Sequence, residues 1–276
     1  RADKIGIAET PHLGMEHQTI TAYGNGFKYS PEGDDWLLFH EFGHEWWANL
    51  VTAPDWNDFW IHEGFESFMD TFYIETTKGK EAYFKAMKAR YKNMHNLKPV
   101  APREAQTTTQ IYMLPPDYTK SDGDIYGKGA LILNALRYYI GDDAFFKSLR
   151  KMTYPTAAME KITNGKQFHF GTTDDFLRIA EKESGKKLDW FFELYLRQPA
   201  LPKLIAEKKA NQLVMRWETP NNMPFPMPIE VKVGVETKRV EMPNGTATIT
   251  LAQDAKYEID PNGWVLMQLA SFSVKQ

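Results

Sequence analysis

The chain has 276 residues, a formal net charge of −3 and no cysteine. Without cysteine there are no disulfides or thiolate metal sites, so a metal would need histidine and carboxylate ligands. A slightly acidic surface gives no reason to expect nucleic acid or a membrane as partner, and no apolar run approaches the roughly 20 residues of a membrane span. We expect a soluble fragment or processed form, because the chain starts at Arg1 with no targeting segment. Cytoplasmic and periplasmic or secreted locations both stay open.

The first two thirds of the chain are predicted to be mainly helical after a short extended start. Up to about residue 30, "IGIAE" and "HQTITAY" are short segments typical of strands. From about Asp34 to Gln198, apolar residues recur at spacings of three and four, which predicts helices beginning with "DDWLLFHEFGHEWWANLV". Residues 97–124, rich in Pro, Thr and Asp, are predicted to form a loop. Three acidic residues are expected to mark helix N-termini: Asp35, Asp142 and Asp174.

The last third has the pattern of a small antiparallel β domain. From Leu204 onward, short alternating segments are divided by Asn, Pro and Gly. The segments predicted as strands include LVMRW, IEVKVGVE, KRVEM, TATITLA and WVLMQL. We place a domain boundary at Pro199–Pro202, which gives domains 1–198 and 199–276.

The segment "HEFGH" contains two histidines, His40 and His44, that can bind one metal ion. Residues i and i+4 lie one turn apart on the same face of a helix. Glu41 follows the first histidine and can take a proton from a water molecule that the metal activates. The short motif alone also arises by chance on ordinary helices, so a third ligand is needed to support a catalytic site.

Glu63 is the predicted third ligand. It lies in "WNDFWIHEGFESFMD", on what is predicted to be the next helix. Two histidines and one glutamate leave the fourth position of a zinc ion open, as catalysis requires. His62 is the rival ligand, but neighbouring residues on a helix point about 100° apart, so only one of them can face the site.

These residues resemble the M1 family of zinc aminopeptidases. The resemblance rests on "HEFGHEWWANLVT", on "WNDFWIHEGF", and on two further stretches in the family's order. "LGMEH" stands where the family has G-x-M-E-N, although Leu13 and His17 replace the family's Gly and Asn. "YGKGA" stands where the family has Y-x-K-G-A. The motifs span about residues 5 to 200.

The resemblance implies a role for each matching residue. Glu16 would bind the free α-amino group of the substrate, within a substrate-binding segment that includes Gly14, Met15 and His17. Tyr126 would donate its hydroxyl to the oxyanion of the tetrahedral intermediate. Asp70 is a candidate to orient one of the ligand histidines.

Three other groups near the motifs have weaker predictions. Glu66 stands where many relatives have a small residue, and it either alters the pocket or faces water. Lys128 and Gly129 are expected to shape the start of a helix. His95 has no partner at a useful spacing and is read as structural or surface-exposed.

The implied fold is α+β: the mainly helical part of a thermolysin-like zinc peptidase domain, with a short N-terminal β portion, followed by a small antiparallel β-sandwich. The implied function is a zinc-dependent aminopeptidase with one Zn²⁺ per chain, which acts on peptides with a free N-terminus. The family also has a large N-terminal β domain, expected to pack on this part of the chain. We therefore expect weak activity, or none, from the chain alone.

Two other functions remain open. A thermolysin-like zinc endopeptidase would share the zinc ligands but would not need Glu16. A non-catalytic, zinc-stabilised interaction scaffold would not need Glu41 or Tyr126, and the presence of both argues against it.

Overall fold

The N-terminal strands form a small mixed sheet. The architecture is that of a computed structural model, which describes residues 4–30, 33–252 and 254–268. Strand β3 lies in the middle of the sheet, parallel to β1 and antiparallel to β2. The bounds are β1 (Gly6–Glu9), β2 (Gly14–Met15) and β3 (Ile20–Tyr23). The extended start predicted for the chain is thereby confirmed.

Helices dominate the chain from residue 36 to residue 196. They are α1 (Trp36–Gly43), α2 (Trp60–Lys78), α3 (Lys80–Arg90), α4 (Thr108–Tyr112), α5 (Gly127–Ile140), α6 (Asp142–Thr153), α7 (Thr173–Ser184) and α8 (Asp189–Leu196). Two short parallel strands, β4 (Val51–Thr52) and β5 (His169–Phe170), lie between them. Helix α4 interrupts the segment 97–124 that was predicted to be a loop.

The prediction for the first helix was too long. "DDWLLFHEFGHEWWANLV" was predicted to be helical throughout, but α1 ends at Gly43. The amides of Glu45 and Trp46 bond to carbonyls three residues back, at 3.1 and 2.9 Å, which tightens the chain into turns. Val51 then pairs with His169 in the β4–β5 ladder, because long-range strand pairing overrides the local helical pattern.

The three predicted acidic helix starts have different geometries. Asp35 is a true N-cap, and its carboxylate accepts the amide of Leu38 at 3.2 Å. Asp142 and Asp174 lie in the first turns of α6 and α7. The caps themselves are Gly141 for α6 and Thr172 for α7, and the prediction that the two acidic residues mark helix N-termini is confirmed. Acidic residues in a first turn still favour the helix, because they complement its dipole.

The last third of the described chain forms two three-stranded antiparallel sheets. Strand β7 lies between β6 and β10 in one sheet, and β8 lies between β9 and β11 in the other. The bounds are β6 (Lys203–Lys209), β7 (Gln212–Glu218), β8 (Ile229–Val233), β9 (Glu236–Val240), β10 (Thr246–Thr250) and β11 (Tyr257–Ile259). The chain is therefore a mixed helix and strand protein, as predicted.

The segment "WVLMQL" is not a strand in its described part, contrary to the prediction. Most of its described backbone hydrogen bonds are to side chains, and the amide of Gln268 donates to the carbonyl of Pro202, just before β6, at 2.9 Å. The carboxylate of Asp260 accepts the amide of Trp264 at 2.9 Å, and the hydroxyl of Tyr195 donates to the carbonyl of Leu266 at 2.7 Å. These hydrogen bonds, together with the buried apolar side chains of the segment, hold it against the helices. Leu269, its last residue, lies outside the described residues.

One hydrophobic core joins the helices to the two C-terminal sheets. Within it, the start of α2 touches the start of α5 through two glycines. A Cβ atom on Gly129 would lie 2.8 Å from the Cα of Gly64, so no larger residue fits at this crossing. This close approach brings Glu63, near the start of α2, next to Tyr126, which precedes α5.

Candidate metal centre and cleft

The side chains of His40, His44 and Glu63 converge at a buried point between α1 and α2; we call these three residues the metal centre. The two Nε2 atoms are 3.2 Å apart, and each is 3.5 Å from Oε2 of Glu63. Ligands at the corners of a tetrahedron around zinc lie about 3.3 Å apart when each bond is about 2.0 Å long. The spacing of the three atoms therefore fits one tetrahedral zinc ion with a fourth position left over.

A single helical turn holds the two histidines together. His44 caps the C-terminus of α1 with helical backbone angles, and its amide donates to the carbonyl of His40 at 3.3 Å. Although α1 is much shorter than predicted, the i, i+4 relation of the two imidazoles survives, because the helix ends only after this turn.

The outer nitrogen of each histidine has its own partner. Nδ1 of His40 lies 3.0 Å from Oδ2 of Asp70, and Nδ1 of His44 lies 2.8 Å from the carbonyl of Trp47. A carbonyl oxygen only accepts, so Nδ1 of His44 carries the proton and its Nε2 is free to bind a metal. Asp70 lies where a carboxylate can orient His40 in the same way, and its role as the orienting residue stays a prediction.

Glu63 presents its two oxygens to different neighbours. Oε1 accepts hydrogen bonds from the hydroxyls of Tyr126 at 3.0 Å and Tyr112 at 3.2 Å. Oε2 is buried and has no hydrogen-bond partner among the described residues, and it points at the two imidazoles. A buried carboxylate oxygen without a donor is costly, so this atom is suited to bind a cation.

The charges around the metal centre favour a cation. Burial lowers the pKa of His40, but the carboxylates of Asp70 and Glu63 outweigh it and raise that pKa to about 11. For His44, burial is likewise outweighed by Glu63, and the pKa rises to about 9. Burial raises the pKa of Glu63, but the two imidazoles hold it well below its usual range. A field that stabilises imidazolium in a buried site also stabilises a bound metal ion.

His62, the rival ligand, points away from the metal centre. Its Nε2 accepts the amide of Ala53 at 2.9 Å, so this nitrogen is already engaged by the backbone. Burial lowers the pKa of His62 to about 4, so the ring is neutral at physiological pH. Its neighbour Glu63 takes the inward position, as the 100° step between helix neighbours requires.

Glu41 lies at the mouth of the metal centre, against the backbone of Gly14. A Cβ atom on Gly14 would lie 2.2 Å from Oε1 of Glu41, so only glycine permits this approach. Burial raises the pKa of Glu41 to about 7. A carboxylate with that pKa can both accept and release a proton near neutral pH.

Residues 14–17, which we call the anchor segment, bring Glu16 beside the metal centre. The carboxylate of Glu16, a carboxylate oxygen of Glu41 and a ring nitrogen of His44 lie within 4.8 Å of one another. The backbone of Glu16 is held by Asn49, whose side-chain amide donates to its carbonyl at 2.9 Å. Of the other two non-glycine residues, Met15 lines the cleft, whereas His17 is exposed and does not line it.

A large cleft opens over this arrangement. Its volume is about 1270 Å³. Residues of the anchor segment, the metal centre and the two tyrosines all line it, among them Glu16, His40, Glu41, Glu63, Tyr112 and Tyr126. This is ample room for several residues of an extended peptide, and the charged and polar groups are concentrated at one part of an otherwise mainly apolar wall.

Tyr112 was not predicted from the sequence to be a residue of the site. It belongs to the segment predicted as a loop, and no motif places it near the site. One local signal was available: Thr107 and Gln110 form a capping box that starts α4. That signal predicts the helix but not its contact with Glu63, which is 49 residues away in the chain.

Glu66 is buried and does not face water, which excludes one of the two readings offered by the sequence. Both of its carboxylate oxygens lack hydrogen-bond partners among the described residues. They lie over Gly43, where a Cβ atom would be only 2.0 Å from Oε1. Burial, and then the charge of Asp70, raise the pKa of Glu66 to about 8, so it is mostly protonated at neutral pH.

A second cluster of potential ligands has a different character. His95 was expected to lack a partner, but its Nδ1 lies 3.4 Å from Oδ1 of Asp122, which corrects that prediction. The ammonium of Lys98 is 3.2 Å from the other oxygen of Asp122. Asp124 accepts the amides of residues 95 and 96, both at 2.9 Å. A lysine and backbone amides thus already neutralise these carboxylates, which is typical of a structural network.

No helix in the described part of the chain combines the length and the apolar character needed to cross a membrane.

Comparisons with known proteins agree with this geometry. The family described as "Peptidase family M1 domain" matches residues 34–195, which is more than half of the chain. Aminopeptidase N of Lactococcus lactis subsp. lactis is 25% identical over 260 residues, covering 83% of this chain and 29% of that protein. Endoplasmic reticulum aminopeptidase 1 of Mus musculus is 32% identical over 192 residues, covering 63% of this chain and 20% of that protein.

The fold has a solved counterpart. The crystal structure of Legionella pneumophila aminopeptidase A in complex with aspartic acid matches with a TM-score of 0.67 and 20% identity, covering 92% of this chain and 30% of that one. This chain thus spans less than a third of the length of these relatives. Family match, relatives and fold agree, and the chain belongs to peptidase family M1.

Proposed function

We propose that this chain carries the catalytic centre of a zinc-dependent aminopeptidase, which hydrolyses the N-terminal residue from peptides. The observation that carries the proposal is the position of Glu16, whose carboxylate lies within 4.8 Å of ligand-type atoms of Glu41 and His44. A carboxylate so close to the reacting groups can pair with a free α-amine only one residue away from the bond to be cleaved. The relatives named aminopeptidases support the same activity.

His40, His44 and Glu63 would hold one zinc ion per chain through two Nε2 atoms and Oε2. Zinc bound there would polarise the substrate carbonyl and lower the pKa of water. The fit rests on ligand spacings of 3.2 to 3.5 Å and on the buried, unpaired Oε2 of Glu63. Asp70 and the carbonyl of Trp47 would keep the two rings in the required tautomer.

Three side chains of this chain would act on the substrate or on the attacking water, and a fourth would line the wall. Glu41 would take a proton from the water on a carboxylate oxygen and pass it to the leaving amine nitrogen. Tyr126 would donate its hydroxyl to the oxyanion that forms at the scissile carbonyl. Burial and the charge of Glu63 raise the pKa of Tyr126 well above its usual range, so it keeps its proton for this donation. Glu16 would bind the substrate ammonium, and Met15 would line the wall beside it.

The finer assignment of the fold belongs to the same proposal. We propose that residues 1–198 form a thermolysin-like catalytic domain and that residues 199–276 form a β-sandwich domain. The break between α8 and β6, at residues 197–202, supports this division. The family's N-terminal β domain would pack on the exposed apolar side chains of the first sheet, among them Ile5, Ile7 and Ile20.

The experiment uses a chain that includes the N-terminal domain, and it compares an aminoacyl-arylamide or short peptide with a free N-terminus to the same substrate acetylated at that end. We expect cleavage of the free form only, with loss of activity in chelator and recovery when zinc is added back. Equal cleavage of both forms excludes the aminopeptidase and favours an endopeptidase. Zinc binding without cleavage of either form, in a chain that includes the N-terminal domain, favours the non-catalytic scaffold.

A further inference from the structure

Two tyrosine hydroxyls from different elements donate to the same oxygen of Glu63. Tyr126 precedes α5 and its hydroxyl lies 3.0 Å from Oε1; Tyr112 ends α4 and its hydroxyl lies 3.2 Å from the same atom. A carboxylate oxygen has two lone pairs, so it can accept both donors at once. The pair leaves Oε2 as the oxygen that faces the two imidazoles.

The proposed reaction makes two demands on Tyr126 that its single proton cannot meet together. A phenol has one O–H group, so a hydroxyl that turns to the oxyanion no longer donates to Glu63. Glu63 is only 4% exposed, so bulk water cannot readily replace the lost donor. Withdrawal of a donor from a buried carboxylate raises its free energy. Formation of the oxyanion would then weaken the metal ligand unless a second donor stays in place.

Tyr112 can stay in place because it is held by contacts that do not involve Tyr126. Its ring packs against Phe59, with 5.8 Å between ring centroids. The ammonium of Lys98 donates to the carbonyl of Met113, the next residue, at 2.9 Å. The two hydroxyls also lie close enough to interact, but these other contacts hold Tyr112 from the loop side of the cleft when the hydroxyl of Tyr126 turns away.

We propose that Tyr112 is a positioning residue that keeps a hydrogen bond on Oε1 of Glu63 while the hydroxyl of Tyr126 turns to the oxyanion. Both tyrosines donate to Glu63 before the reaction, and only Tyr112 does so once the oxyanion has formed. No bond to either tyrosine is made or broken, and both keep their protons. This hand-over rests on the proposed function, because it needs a reaction in which Tyr126 leaves Glu63.

The test uses Tyr112→Phe, Tyr126→Phe and the double variant, with Tyr118→Phe as a control in the same segment of the chain. Tyr118 does not line the cleft. One readout is the zinc affinity of each variant, measured by competition with a chelator. The other is the affinity of each zinc-loaded variant for an aminophosphonate analogue of the tetrahedral intermediate, measured by calorimetry. Neither readout depends on turnover.

We expect Tyr112→Phe to lower zinc affinity by about tenfold, because Glu63 loses one of its two donors. It should also weaken the analogue by about tenfold when Tyr126 is present. In the Tyr126→Phe background the same substitution should change analogue affinity by less than about twofold, since no hydroxyl remains to be handed over. Tyr118→Phe should change neither affinity.

Equal losses of analogue affinity in both backgrounds would show that Tyr112 is merely structural and would overturn the hand-over. Unchanged zinc affinity in Tyr112→Phe would overturn it as well. These outcomes leave the proposed function intact, because they require that the parent chain binds the analogue. If the parent, in a chain that includes the N-terminal domain, binds zinc but not the analogue, the proposed function is contradicted, and the hand-over falls with it.

Discussion

The metal centre and the anchor segment are held in place by very different means. Each histidine of the metal centre is fixed at its outer nitrogen, and Glu63 is fixed by two tyrosines, all in buried surroundings. Only the first two residues of the anchor segment form a strand, β2, and Met15 within it is 44% exposed. The side-chain amide of Asn49, which follows α1, donates a hydrogen bond to the backbone carbonyl of Glu16.

This difference indicates that the two regions need different precision in the placement of their side chains. A metal site needs its ligands within a few tenths of an ångström, and buried hydrogen bonds supply that precision. Under the proposed function, the anchor segment would need only to bring one carboxylate near the amine of a substrate that also fills the cleft. We therefore expect substitutions in the metal centre to affect metal binding or turnover, and substitutions in the anchor segment to affect substrate binding, except where the two regions touch.

The largest effect is expected from Glu41→Gln. The amide keeps the size of the side chain but cannot accept the proton of water, so turnover should fall by about 10² to 10⁴-fold. Zinc affinity, measured with a chelator, should stay close to that of the parent chain, because Glu41 is not part of the metal centre. A variant that binds zinc and hydrolyses peptide as fast as the parent contradicts the assigned role.

Gly14→Ala tests the point where the two regions touch. The added Cβ would lie 2.2 Å from Oε1 of Glu41 and 2.8 Å from Cδ1 of Leu37, so Glu41 must move. A displacement of about 1 Å at a reacting group can lower the rate about 10²-fold. We expect that loss in turnover, with the zinc affinity unchanged.

The control for this variant is Gly6→Ala in the same sheet. A Cβ atom there would meet the carbonyl of Thr19 at 3.4 Å, an ordinary contact. Turnover should be close to that of the parent. If both alanine variants lose activity to the same extent, the sheet as a whole is sensitive and the contact between Gly14 and Glu41 is not special.

The sequence predicted the metal centre better than the rest of the cleft because its signals are local. The i, i+4 pair survives even though α1 stops right after it, since one turn is enough to define the spacing. Glu63 was predicted because a catalytic zinc ion needs a third ligand, and the structure brings its oxygen to the histidines; its role as a ligand stays a prediction. The position of Asp70 beside His40 likewise agrees with helix geometry, two turns beyond Glu63.

What the sequence could not supply are the long-range contacts. Tyr112 reaches Glu63 from a segment without apolar periodicity, where the capping box of α4 is the available signal. Val51 leaves a helical pattern to pair with a strand that lies more than a hundred residues further on. The segment "WVLMQL" alternates like a strand, but one of its backbone partners is the hydroxyl of Tyr195 on α8, 71 residues before Leu266. In all three cases the deciding contact is distant in sequence, so local pattern carries no information about it.

A smaller effect is expected from Asp70→Asn. The carboxylate that orients Nδ1 of His40 at 3.0 Å becomes an amide of lower basicity. Loss of such an outer partner typically lowers metal affinity about 10 to 100-fold. Zinc affinity is again measured against a chelator, and Asp117→Asn, on the exposed surface, is the matched control. Unchanged zinc affinity in Asp70→Asn would mean that the metal centre is positioned without this contact.

The smallest effect concerns Glu66, which contrasts with Glu63 on the same helix. Both are buried, yet the imidazoles depress the pKa of Glu63, while burial raises the pKa of Glu66 to about 8. A carboxyl that titrates near 4.5 in the unfolded chain and near 8 in the folded chain binds more protons when folded. Its contribution to stability is therefore complete below pH 4.5 and is lost as the pH rises towards 8.

Glu66→Gln removes this titration. In the metal-free chain, the parent should lose about 1 kcal/mol more free energy of unfolding than Glu66→Gln between pH 6 and pH 7. Urea unfolding at the two pH values measures the difference, and the exposed Glu104→Gln should behave like the parent. Since the parent and the variant differ only at residue 66, comparing them isolates the contribution of Glu66. Equal pH dependence in the parent and Glu66→Gln would mean that Glu66 is already ionised, and that the helix pair stabilises two buried carboxylates beside the metal centre.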